Sequence, residues 1–370
     1  LLGRRLSESS PDRGTLRYSY DLANNNTEMT DARGITATYS YDELERLTSK
    51  AFPNAMENVT YSYDSCTLGL GYLCAIQDES GNYAYSYDAF GNVIQLDKQE
   101  LGQNYSTQYS YDNGNNIIAM QYPSGRAINI QRDAVRRISA IDATVNSSQQ
   151  TLLSNIQYRS DNRVTQCTFG NGLVDSRQYD QQGRLQNQSL GLVDSRTYSY
   201  DRNGNILQRS STPQLSQYQY DKLDRLTSDT IDSGVANNFS YDLNHNRLSK
   251  VLQDNSLQTA YQHDFDSNRL LAAEATIQGT ETLPSKPSTS RTYNNANRWF
   301  ELYEEGTKKA DYIYNSLGQR TRKTLYNPDA STASITIYHY DLSGKLIAET
   351  SEAGQPQRDY IWANQIPAAQ

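Results

Sequence analysis

The chain has 370 residues, of which 36% are hydrophobic and 30 are tyrosine. So many tyrosines argue against a disordered chain, because disordered segments are poor in aromatic residues. They favour strands, since tyrosine is a strong strand former with a large apolar ring and a polar tip. The net charge is −8, and Lys and Arg are scattered along the chain, which argues against nucleic acid or an anionic membrane as the main partner.

The N-terminal sequence LLGRRLSESS has no long apolar stretch after its basic pair, so it does not predict a signal peptide. No other stretch approaches the ~20 apolar residues that a membrane-spanning helix needs. Because the sequence also begins without Met, we expect a piece of a longer protein, whose export signal would lie elsewhere.

A repeat built on the dipeptide Tyr-Asp runs along nearly the whole chain. In clear copies, such as YSYDELERLTS at 39–49 and YSYDRNGNILQ at 198–208, the dipeptide closes a Tyr-x-Tyr segment and recurs after 20 to 24 residues. The clear pairs are Tyr20-Asp21, Tyr41-Asp42, Tyr63-Asp64, Tyr87-Asp88, Tyr111-Asp112, Tyr179-Asp180, Tyr200-Asp201, Tyr220-Asp221, Tyr241-Asp242 and Tyr340-Asp341.

Decayed copies fill the gaps between the clear ones. The dipeptide is replaced by Arg132-Asp133, His263-Asp264 and Tyr314-Asn315, and the sequences around Asp161 and Tyr293 are interpreted as shortened units. The sequence therefore predicts a single array of about fifteen units over residues 1–370, in which residues 335–370 are the terminal repeats.

The chemistry of one unit predicts a β-hairpin. Tyr-x-Tyr places two rings on one face of a strand. The following Asp opens a turn, because its carboxylate accepts hydrogen bonds from the next backbone amides, and the residue three positions later closes the turn in a left-handed conformation. Glycine, Asn, Asp or His suits that position, whereas Glu45 and Arg136 would be strained there or use another turn. The glycines are Gly91, Gly183, Gly204 and Gly344, and the other suitable residues are Asn24, Asn115, Asp224 and His245.

An aliphatic residue after each turn begins the return strand, and no segment shows a sustained helical stripe, so we expect a nearly all-β chain. About thirty strands at ~4.8 Å each would make a flat sheet roughly 140 Å wide. Open sheets rarely exceed about ten strands without curling. The sequence therefore predicts one long curved or spiralling antiparallel sheet of tandem hairpins. We expect a single layer, with tyrosine rings stacking from hairpin to hairpin.

The pattern Tyr-x-Tyr-Asp-x-x-Gly-(Asn/Arg)-aliphatic resembles the RHS or YD-repeat family, which includes bacterial Rhs proteins, the C-component of insecticidal toxin complexes, wall-associated proteins and the YD shell of teneurins. The segment from Tyr360 to Pro367 looks like the last repeats before the conserved core of such proteins. The resemblance implies a β-ribbon that forms part of a hollow shell around a C-terminal toxin or effector. It also implies a downstream self-cleaving core, to which no residue here corresponds.

The function implied by the resemblance is that of a shell segment in a secreted or cell-surface protein. Its partners would be an enclosed polypeptide cargo and the remaining shell segments. The alternative is an adhesin or carbohydrate-binding module that contacts glycans through exposed tyrosines. We identify no catalytic, cofactor-binding or metal-binding residue and expect neither an enzyme nor a cofactor.

The histidines, aspartates and cysteines do not form the pattern of a functional site. His245, His263 and His339 occupy repeat positions without the spacing of metal ligands, and the aspartates suit turns better than the paired acids of a glycosidase. The cysteines, Cys66, Cys74 and Cys167, predict neither a disulfide framework nor a zinc site, and we interpret them as unpaired small residues. Cys66 and Cys74 are nevertheless close enough in sequence to pair. Residues 282–290 and, less clearly, 146–150 are predicted to be loop insertions.

Overall fold

The computed structural model describes residues 3–10, 13–145, 148–254, 256–264, 268, 270–277, 289–363 and 366–369. In these ranges the only helical element is a single 3-10 turn, Ala55–Glu57. The strands are β1 (Ser7–Ser10), β2 (Gly14–Tyr20), β3 (Asn26–Thr30), β4 (Thr36–Tyr41), β5 (Leu47–Ala51), β6 (Val59–Tyr63), β7 (Leu73–Asp78), β8 (Gly81–Tyr87), β9 (Val93–Glu100), β10 (Gln103–Tyr111), β11 (Ile117–Gln121), β12 (Ala127–Arg132), β13 (Ile138–Val145), β14 (Ser148–Tyr158), β15 (Val164–Phe169), β16 (Val174–Tyr179), β17 (Leu185–Leu190), β18 (Asp194–Tyr200), β19 (Ile206–Ser211), β20 (Gln214–Tyr220), β21 (Leu226–Ile231), β22 (Asn237–Tyr241), β23 (Arg247–Leu252), β24 (Leu257–His263), β25 (Leu270–Ile277), β26 (Thr289–Tyr293), β27 (Trp299–Glu304), β28 (Thr307–Tyr314), β29 (Arg320–Tyr326), β30 (Thr332–Tyr340), β31 (Leu346–Ser351), β32 (Pro356–Asp359), β33 (Ile361–Ala363) and β34 (Ile366–Ala369).

Within each sheet, every strand pairs antiparallel with the next strand in the chain. Strands β1 to β25 form one 25-stranded sheet, β26 to β32 form a seven-stranded sheet, and β33 pairs with β34. The predicted all-β ribbon of tandem hairpins is therefore confirmed.

The geometry of the hairpin turn follows from its residues, as the unit β18–β19 illustrates. The amide of Asp201 donates to the carbonyl of Asn205 (2.9 Å), and the amide of Gly204 donates to the carbonyl of Asp201 (3.3 Å). Gly204 has φ +95°, which places a left-handed residue after a type I turn, the usual three-residue hairpin. Because Tyr200 pairs with Ile206 and Ser199 pairs with Gln208, the return strand carries one extra residue. Such a bulge increases the local twist, so each unit bends the ribbon.

The bent ribbon meets itself after one revolution. Contacts join Glu57 to Asn295, Asp78 to Ser316 and Lys98 to Tyr338, at sequence separations of 238, 238 and 240. Since the separation is nearly constant, the ribbon is a spiral whose revolution takes about 238 residues. From β9 to β30 the chain advances by twenty-one described strands. An odd number of antiparallel strands reverses direction, so opposite edges of the ribbon face each other across the contact.

The two edges of the ribbon carry different turns. The Tyr-Asp edge carries the turns that follow each Tyr-x-Tyr, such as 42–45 and 201–204. The linker edge carries the reversals between units, such as 31–34, 55–57 and 78–81. In the contact, the Tyr-Asp edge of the later revolution lies on the linker edge of the earlier one. We call this contact the seam.

The aliphatic core corrects the expectation of a single layer. The hairpin β33–β34 crosses one face of strands β10 to β15, where Ile361 and Ala363 pack with a buried cluster. Fully buried members of that cluster include Ile141 and Leu153. The physical reason lies in the sequence, because the aliphatic residues concentrate in the stretch from Ile117 to Phe169, and they provide an apolar surface that a second layer can cover.

Several other expectations also change. Around Asp161 and Tyr293 the turns are complete, with Arg159 and Asn294 at the Asp position, so these units are not shortened. Of the two alternatives for Glu45 and Arg136, the first is observed, because both close the same turn in the left-handed conformation (φ +61° and +67°). Of the two predicted loop insertions, residues 148–150 belong to strand β14 and residues 289–290 begin strand β26. Residues 146–147 and 282–288 lie outside the described ranges.

The cysteines also depart from our interpretation. Cys66 and Cys74 form a disulfide across the loop between β6 and β7, so these two cysteines are not unpaired. Cys167 is free and buried, as expected of a small residue in the interior. The loop that carries the disulfide is longer than the other Tyr-Asp turns, and the sequence spacing alone left the pairing open.

We predict that Leu153→Ala lowers the free energy of unfolding by about 2–5 kcal/mol, because Leu153 is 0% exposed and its truncation leaves a cavity. Urea denaturation measures the loss. The matched control is Leu207→Ala, which removes the same atoms from a side chain that is 42% exposed and should change the value by less than about 0.5 kcal/mol. Equal effects of the two substitutions would contradict the placement of the core.

Candidate functional site

In most described units, the second tyrosine ties its hairpin to the preceding one. Its hydroxyl donates a hydrogen bond to the carbonyl of the first residue of the preceding return strand, as Tyr220 does to Ile206 (2.9 Å). The ladder between the two hairpins begins only at Gln208, so that carbonyl has no strand partner there and would otherwise be left unpaired. The same bond is made by Tyr41, Tyr63, Tyr87, Tyr111, Tyr158, Tyr179, Tyr200, Tyr241, Tyr314 and Tyr340. We call this bond the hydroxyl latch.

Other donors replace tyrosine where the repeat has decayed. Arg132 donates from Nη2 to the carbonyl of Ile117 (2.9 Å), and Trp362 donates from Nε1 to the carbonyl of Leu346 (2.8 Å). Both acceptors are the first residues of return strands. The position therefore requires a side-chain donor that reaches this carbonyl. Tyrosine, arginine and tryptophan each supply one.

The tyrosine rings do not stack on each other as we expected. Among the described residues, Tyr72 and Tyr87 are the only stacked tyrosine pair. Where the preceding turn carries an arginine, its guanidinium covers the second tyrosine instead, as where that of Arg184 lies 4.6 Å from the centre of the Tyr200 ring. Arg46 over Tyr63 repeats the arrangement at 4.5 Å. Such cation–π contacts contribute about 0.5–1 kcal/mol at exposed sites.

The aspartate after the latch organises its own turn. Oδ1 of Asp42 accepts the amides of Leu44 (3.0 Å) and Arg46 (2.9 Å), and Oδ2 accepts Nε of Arg46 (2.7 Å). Where Asn replaces Arg, its side-chain amide makes the same bond, as Asn205 does to Asp201 (2.9 Å). The alternation of Arg and Asn at the fourth position after Asp is thereby explained, because both supply a donor to the second oxygen.

The arginine at this position also reaches the next unit. Nη1 of Arg184 donates to the carbonyl of Asp201 (2.9 Å), and Arg46 donates through both Nη atoms to the carboxylate of Asp64 (3.0 and 2.6 Å). One guanidinium therefore holds its own aspartate, covers the next tyrosine and contacts the next turn.

The remaining signature residues lie in the same arrangement. Asp21, Asp88, Asp112, Asp180, Asp221, Asp242 and Asp341 accept amide bonds from their own turns. Tyr20 donates to the carbonyl of Arg5 (3.0 Å). Gly91, Gly183 and Gly344 have φ near +80°. The structure places these residues at one edge of the ribbon, where each aspartate is engaged in its own turn.

Carboxylates and amides hold the seam. Oε2 of Glu57 accepts the amides of Asn295 (2.9 Å) and Ala296 (3.3 Å), and Oδ2 of Asp78 accepts the amide of Ser316 (2.6 Å). Each donor lies in a turn of the Tyr-Asp edge, and each acceptor lies on the linker edge. Bonds from amides to ionised acceptors are stronger than neutral ones.

Basic side chains add further bonds across the seam. Arg33 donates from both Nη atoms to the carbonyls of Asn294 (2.9 Å) and Asn295 (2.8 Å). Towards the C-terminus, Asp359 receives bonds from Ser124 (2.9 Å) and Arg126 (2.8 Å). The described contacts thus extend the seam from Arg33 to Asp359.

A buried ion pair lies in the middle of the seam. Nζ of Lys98 is 2.6 Å from Oε2 of Glu100, and Nζ also donates to the carbonyl of Tyr338 on the later revolution (3.3 Å). Arg322 of the later revolution approaches Oε1 of Glu100 (3.4 Å). Beside this pair, burial and the charge of Lys98 keep the pKa of His339 well below its usual value, so the ring is neutral. Its Nε2 lies 3.0 Å from Oγ1 of Thr350.

A cavity of about 190 Å³ opens at the same place, between the two revolutions. Tyr83, Tyr105 and Lys98 line it from the earlier revolution, and Leu317 and His339 line it from the later one. The cavity therefore lies directly beside the buried ion pair of Lys98 and Glu100.

The described residues include no cluster of three or more His, Cys, Asp or Glu side chains that could hold a metal ion. They also include no helix long and apolar enough to cross a membrane. His245 occupies the left-handed turn position (φ +68°).

Sequence reasoning missed the seam residues Glu57, Asp78 and Glu100. Each lies in or next to a reversal between units, where the Tyr-Asp repeat pattern specifies no residue type. The available signal was an acidic residue in many of these reversals, such as Asp31, Glu57 and Asp78.

The chain resembles known proteins in both repeat and fold. The RHS Repeat family model matches residues 20–55. No curated protein matches the sequence. Among solved structures, the chain resembles TcdB2-TccC3 without its hypervariable C-terminal region, with 13% identity, a TM-score of 0.63, and coverage of 96% of this chain and 24% of that one.

Two related structures give the same result. TcdB2-TccC3 has 16% identity and a TM-score of 0.60, with coverage of 94% of this chain and 20% of that one. The Photorhabdus luminescens Tc holotoxin pore with a TccC3 mutation has 13% identity and a TM-score of 0.62, with coverage of 97% and 24%. The chain thus spans about a quarter of the length of these structures. The expected RHS-type repeat and its fold are confirmed.

We predict that Tyr220→Phe lowers the free energy of unfolding by about 0.5–1.5 kcal/mol, because it removes the hydroxyl latch and leaves the Ile206 carbonyl unpaired. Urea denaturation measures the change. Tyr218→Phe is the matched control in the same unit, since no hydroxyl bond of Tyr218 occurs among the described residues. The latch would be refuted by equal losses in the two variants.

We predict that stability is greatest between about pH 5 and pH 10 and falls on both sides. Hydrogen bonds from Asn92 and Asn205 lower the pKa of Asp88 and Asp201 below 3.8, so their contribution is present above that value and is lost as the pH falls through the folded-state pKa. Burial raises the pKa of Tyr85 and Tyr340 from 10.0 to about 12, so their contribution is present below pH 10.0 and is lost as the pH rises towards 12. Melting temperatures measured across the pH range test the loss of stability on both sides. A melting temperature that does not fall on the acid side would contradict the hydrogen bonds to the aspartates.

Proposed function

We propose that this chain is a segment of an RHS-type shell that encloses a C-terminal toxin or effector polypeptide. The observation that carries the proposal is the seam, because a ribbon whose successive revolutions bond edge to edge makes a continuous wall. The bonds that Glu57, Asp78 and Arg33 make across it support that function.

The size of one revolution suits an unfolded cargo. Twenty-one strands at ~4.8 Å make a circumference of about 100 Å, or roughly 30 Å across. Side chains on the inner face reduce the free width to about 20 Å, by the usual ~10 Å spacing between packed sheets. A folded domain of 100 residues has a radius of gyration of about 13 Å and would not fit. We therefore infer an extended or partly unfolded cargo.

The comparisons support the same assignment. One of the similar structures is described as TcdB2-TccC3 without its hypervariable C-terminal region. By analogy, the cargo of this protein would follow the repeat array, and the partners of the chain would be that cargo and the remaining shell segments. No enzymatic role is proposed for the segment.

The disulfide supports a secreted or cell-surface location for the full-length protein. Disulfides persist in oxidising compartments and are rare in the cytosol. The bond between Cys66 and Cys74 is therefore consistent with export.

The tyrosines suit a wall better than the alternative of glycan binding. A ring that stacks on a sugar needs a free face, and the rings of Tyr63, Tyr200 and Tyr241 are covered by guanidinium groups. Their hydroxyls are also engaged in latches. We therefore do not propose a carbohydrate-binding function.

A protease-protection experiment on the full-length protein tests the shell. We expect the C-terminal cargo to resist protease in the unmodified protein, and the double variant Glu57→Gln, Asp78→Asn to be cleaved roughly tenfold faster, because lost charge-assisted bonds raise the open population. The matched control is Glu43→Gln, which neutralises an exposed acid on the Tyr-Asp edge outside the seam. Cargo that is cleaved equally fast in all three proteins would overturn the proposal.

A further inference from the structure

The described residues form a second cavity in the seam, between the first hairpins of the ribbon and the later turn at residues 294–297. Its volume is about 280 Å³. The floor lies on the face of the sheet that carries the tyrosine rings, because Met29 pairs with Tyr18 in one ladder and with Ala37 in the next. The apolar part of the lining includes Leu16, Met29, Ile35, Ala37 and Phe52.

Bonds across the seam hold the roof of this cavity in place. Residues 295–297 line the cavity from the later revolution. Arg33 donates to the carbonyls of Asn294 and Asn295. Oε2 of Glu57 accepts the amides of Asn295 and Ala296. The cavity is therefore built by both revolutions, and its shape depends on the seam.

The charged side chains of the lining differ in whether they are paired. Nη2 of Arg13 lies 2.6 Å from Oε1 of Glu8, and Nη2 of Arg33 lies 2.6 Å from Oδ2 of Asp31. Lys50 is the fourth charged residue of the lining. No described residue gives its ammonium a hydrogen bond or an ion pair, so within the described part of the chain Lys50 contributes an unpaired positive charge to the cavity.

The ammonium of Lys50 lies over aromatic rings and close to a like charge. Its Nζ is 4.8 Å from the centre of the Phe52 ring and 5.8 Å from that of the Tyr39 ring, and the residue is half-buried. Burial and then the charge of Arg298 lower the pKa of Lys50 below its usual value. A carboxylate beside the ammonium would oppose both effects, because an opposite charge favours the charged form.

A second lysine of the seam shows what Lys50 lacks. Lys98 also lines a seam cavity, and Glu100, two residues later, places a carboxylate oxygen 2.6 Å from its ammonium. Two residues after Lys50, the chain carries the ring of Phe52 instead of a carboxylate. Charges that are removed from water are paired in folded proteins. The counter-ion that Lys98 has within the chain would therefore reach Lys50 from a ligand.

The lining also defines the chemistry of that ligand. One unpaired ammonium matches one negative charge, and both Nη atoms of Arg33 are already bonded across the seam, so a phosphate dianion would lack a second cation. The apolar side chains of the lining favour an apolar body. Since a cavity of roughly 150 Å³ holds benzene, a volume of about 280 Å³ accommodates about ten to twelve non-hydrogen atoms.

We propose that this cavity binds a small monocarboxylate with an apolar body, such as an arylalkanoate or a medium-chain fatty acid. The carboxylate accepts a hydrogen bond from Lys50, and the apolar body lies against Leu16, Met29 and Ala37. Residues 295–297 cover the ligand, so it contacts both revolutions. This binding does not depend on an enclosed cargo.

NMR of methionine methyl groups tests the site in the 370-residue chain, because its three methionines lie in different environments. Met29 lines the cavity, Met56 is 73% exposed, and Met120 belongs to the buried core cluster. The probe is 3-phenylpropanoate, whose ring shifts the signal of a methyl group that it contacts. We expect a saturable shift of the Met29 signal, with the Met56 and Met120 signals unchanged.

The charge of the probe and the charge of the protein are then removed separately. The neutral isostere 3-phenylpropanamide should bind the unmodified chain at least about tenfold more weakly than 3-phenylpropanoate, because the bond between opposite charges is lost. Lys50→Met should raise the dissociation constant of 3-phenylpropanoate by a similar factor, whereas Lys50→Arg keeps the charge and should retain binding. The matched control is Lys222→Met, which removes a positive charge from an exposed turn and should leave the constant unchanged.

A Met29 signal that does not move, or that moves together with the Met56 signal, would overturn the proposal. Equal binding of the carboxylate and the amide, or an unchanged dissociation constant in Lys50→Met, would also overturn it. The position of the Met120 signal establishes that each variant is folded. Because the two probes are compared on the unmodified chain, the role of charge is decided even where a variant does not fold.

Discussion

The fold depends on one carbonyl group per unit that the strand ladder cannot reach. Each Tyr-Asp turn closes with a left-handed residue and a bulge, which withdraw the first carbonyl of the return strand from pairing, as at Ile206. The tyrosine hydroxyl of the next unit donates to that carbonyl. Because this latch recurs along the described ribbon, stability is carried between nearest neighbours, and the ribbon extends without a large apolar core.

This constraint explains which sequence changes the repeat tolerates. Arg132 and Trp362 replace tyrosine because each can donate to the same carbonyl. Arg and Asn alternate after the aspartate because each reaches its second oxygen, as Arg46 and Asn205 do. The chemistry of the position is retained while the residue type changes, which is why the decayed units keep the geometry of the clear ones.

The local part of this structure could be predicted and the long-range part could not. Tyr-x-Tyr, the aspartate and the glycine position specify a hairpin through contacts within about ten residues, so the all-β ribbon followed from sequence. Stacked rings were the wrong prediction, because the arginine that covers Tyr63 comes from the preceding turn. The seam depends on twist summed over twenty-one strands, and a small error per hairpin would move Glu57 away from Asn295. For the same reason, the sequence could not distinguish the carboxylates of the seam from other acidic residues in the reversals between units.

The contacts within the ribbon and the contacts across the seam are built from different interactions. Within the ribbon, each unit is held by a strand ladder, a latch and an arginine that spans two turns, as Arg184 does. Across the seam, separate polar bonds join turns, and a cavity of about 190 Å³ remains between the revolutions. Near strands β10 to β15, the buried apolar cluster that includes Ile347, Ile361 and Ala363 also joins the two revolutions. The strand ladders therefore run within a revolution, whereas the described contacts between revolutions are made by turns, side chains and this cluster.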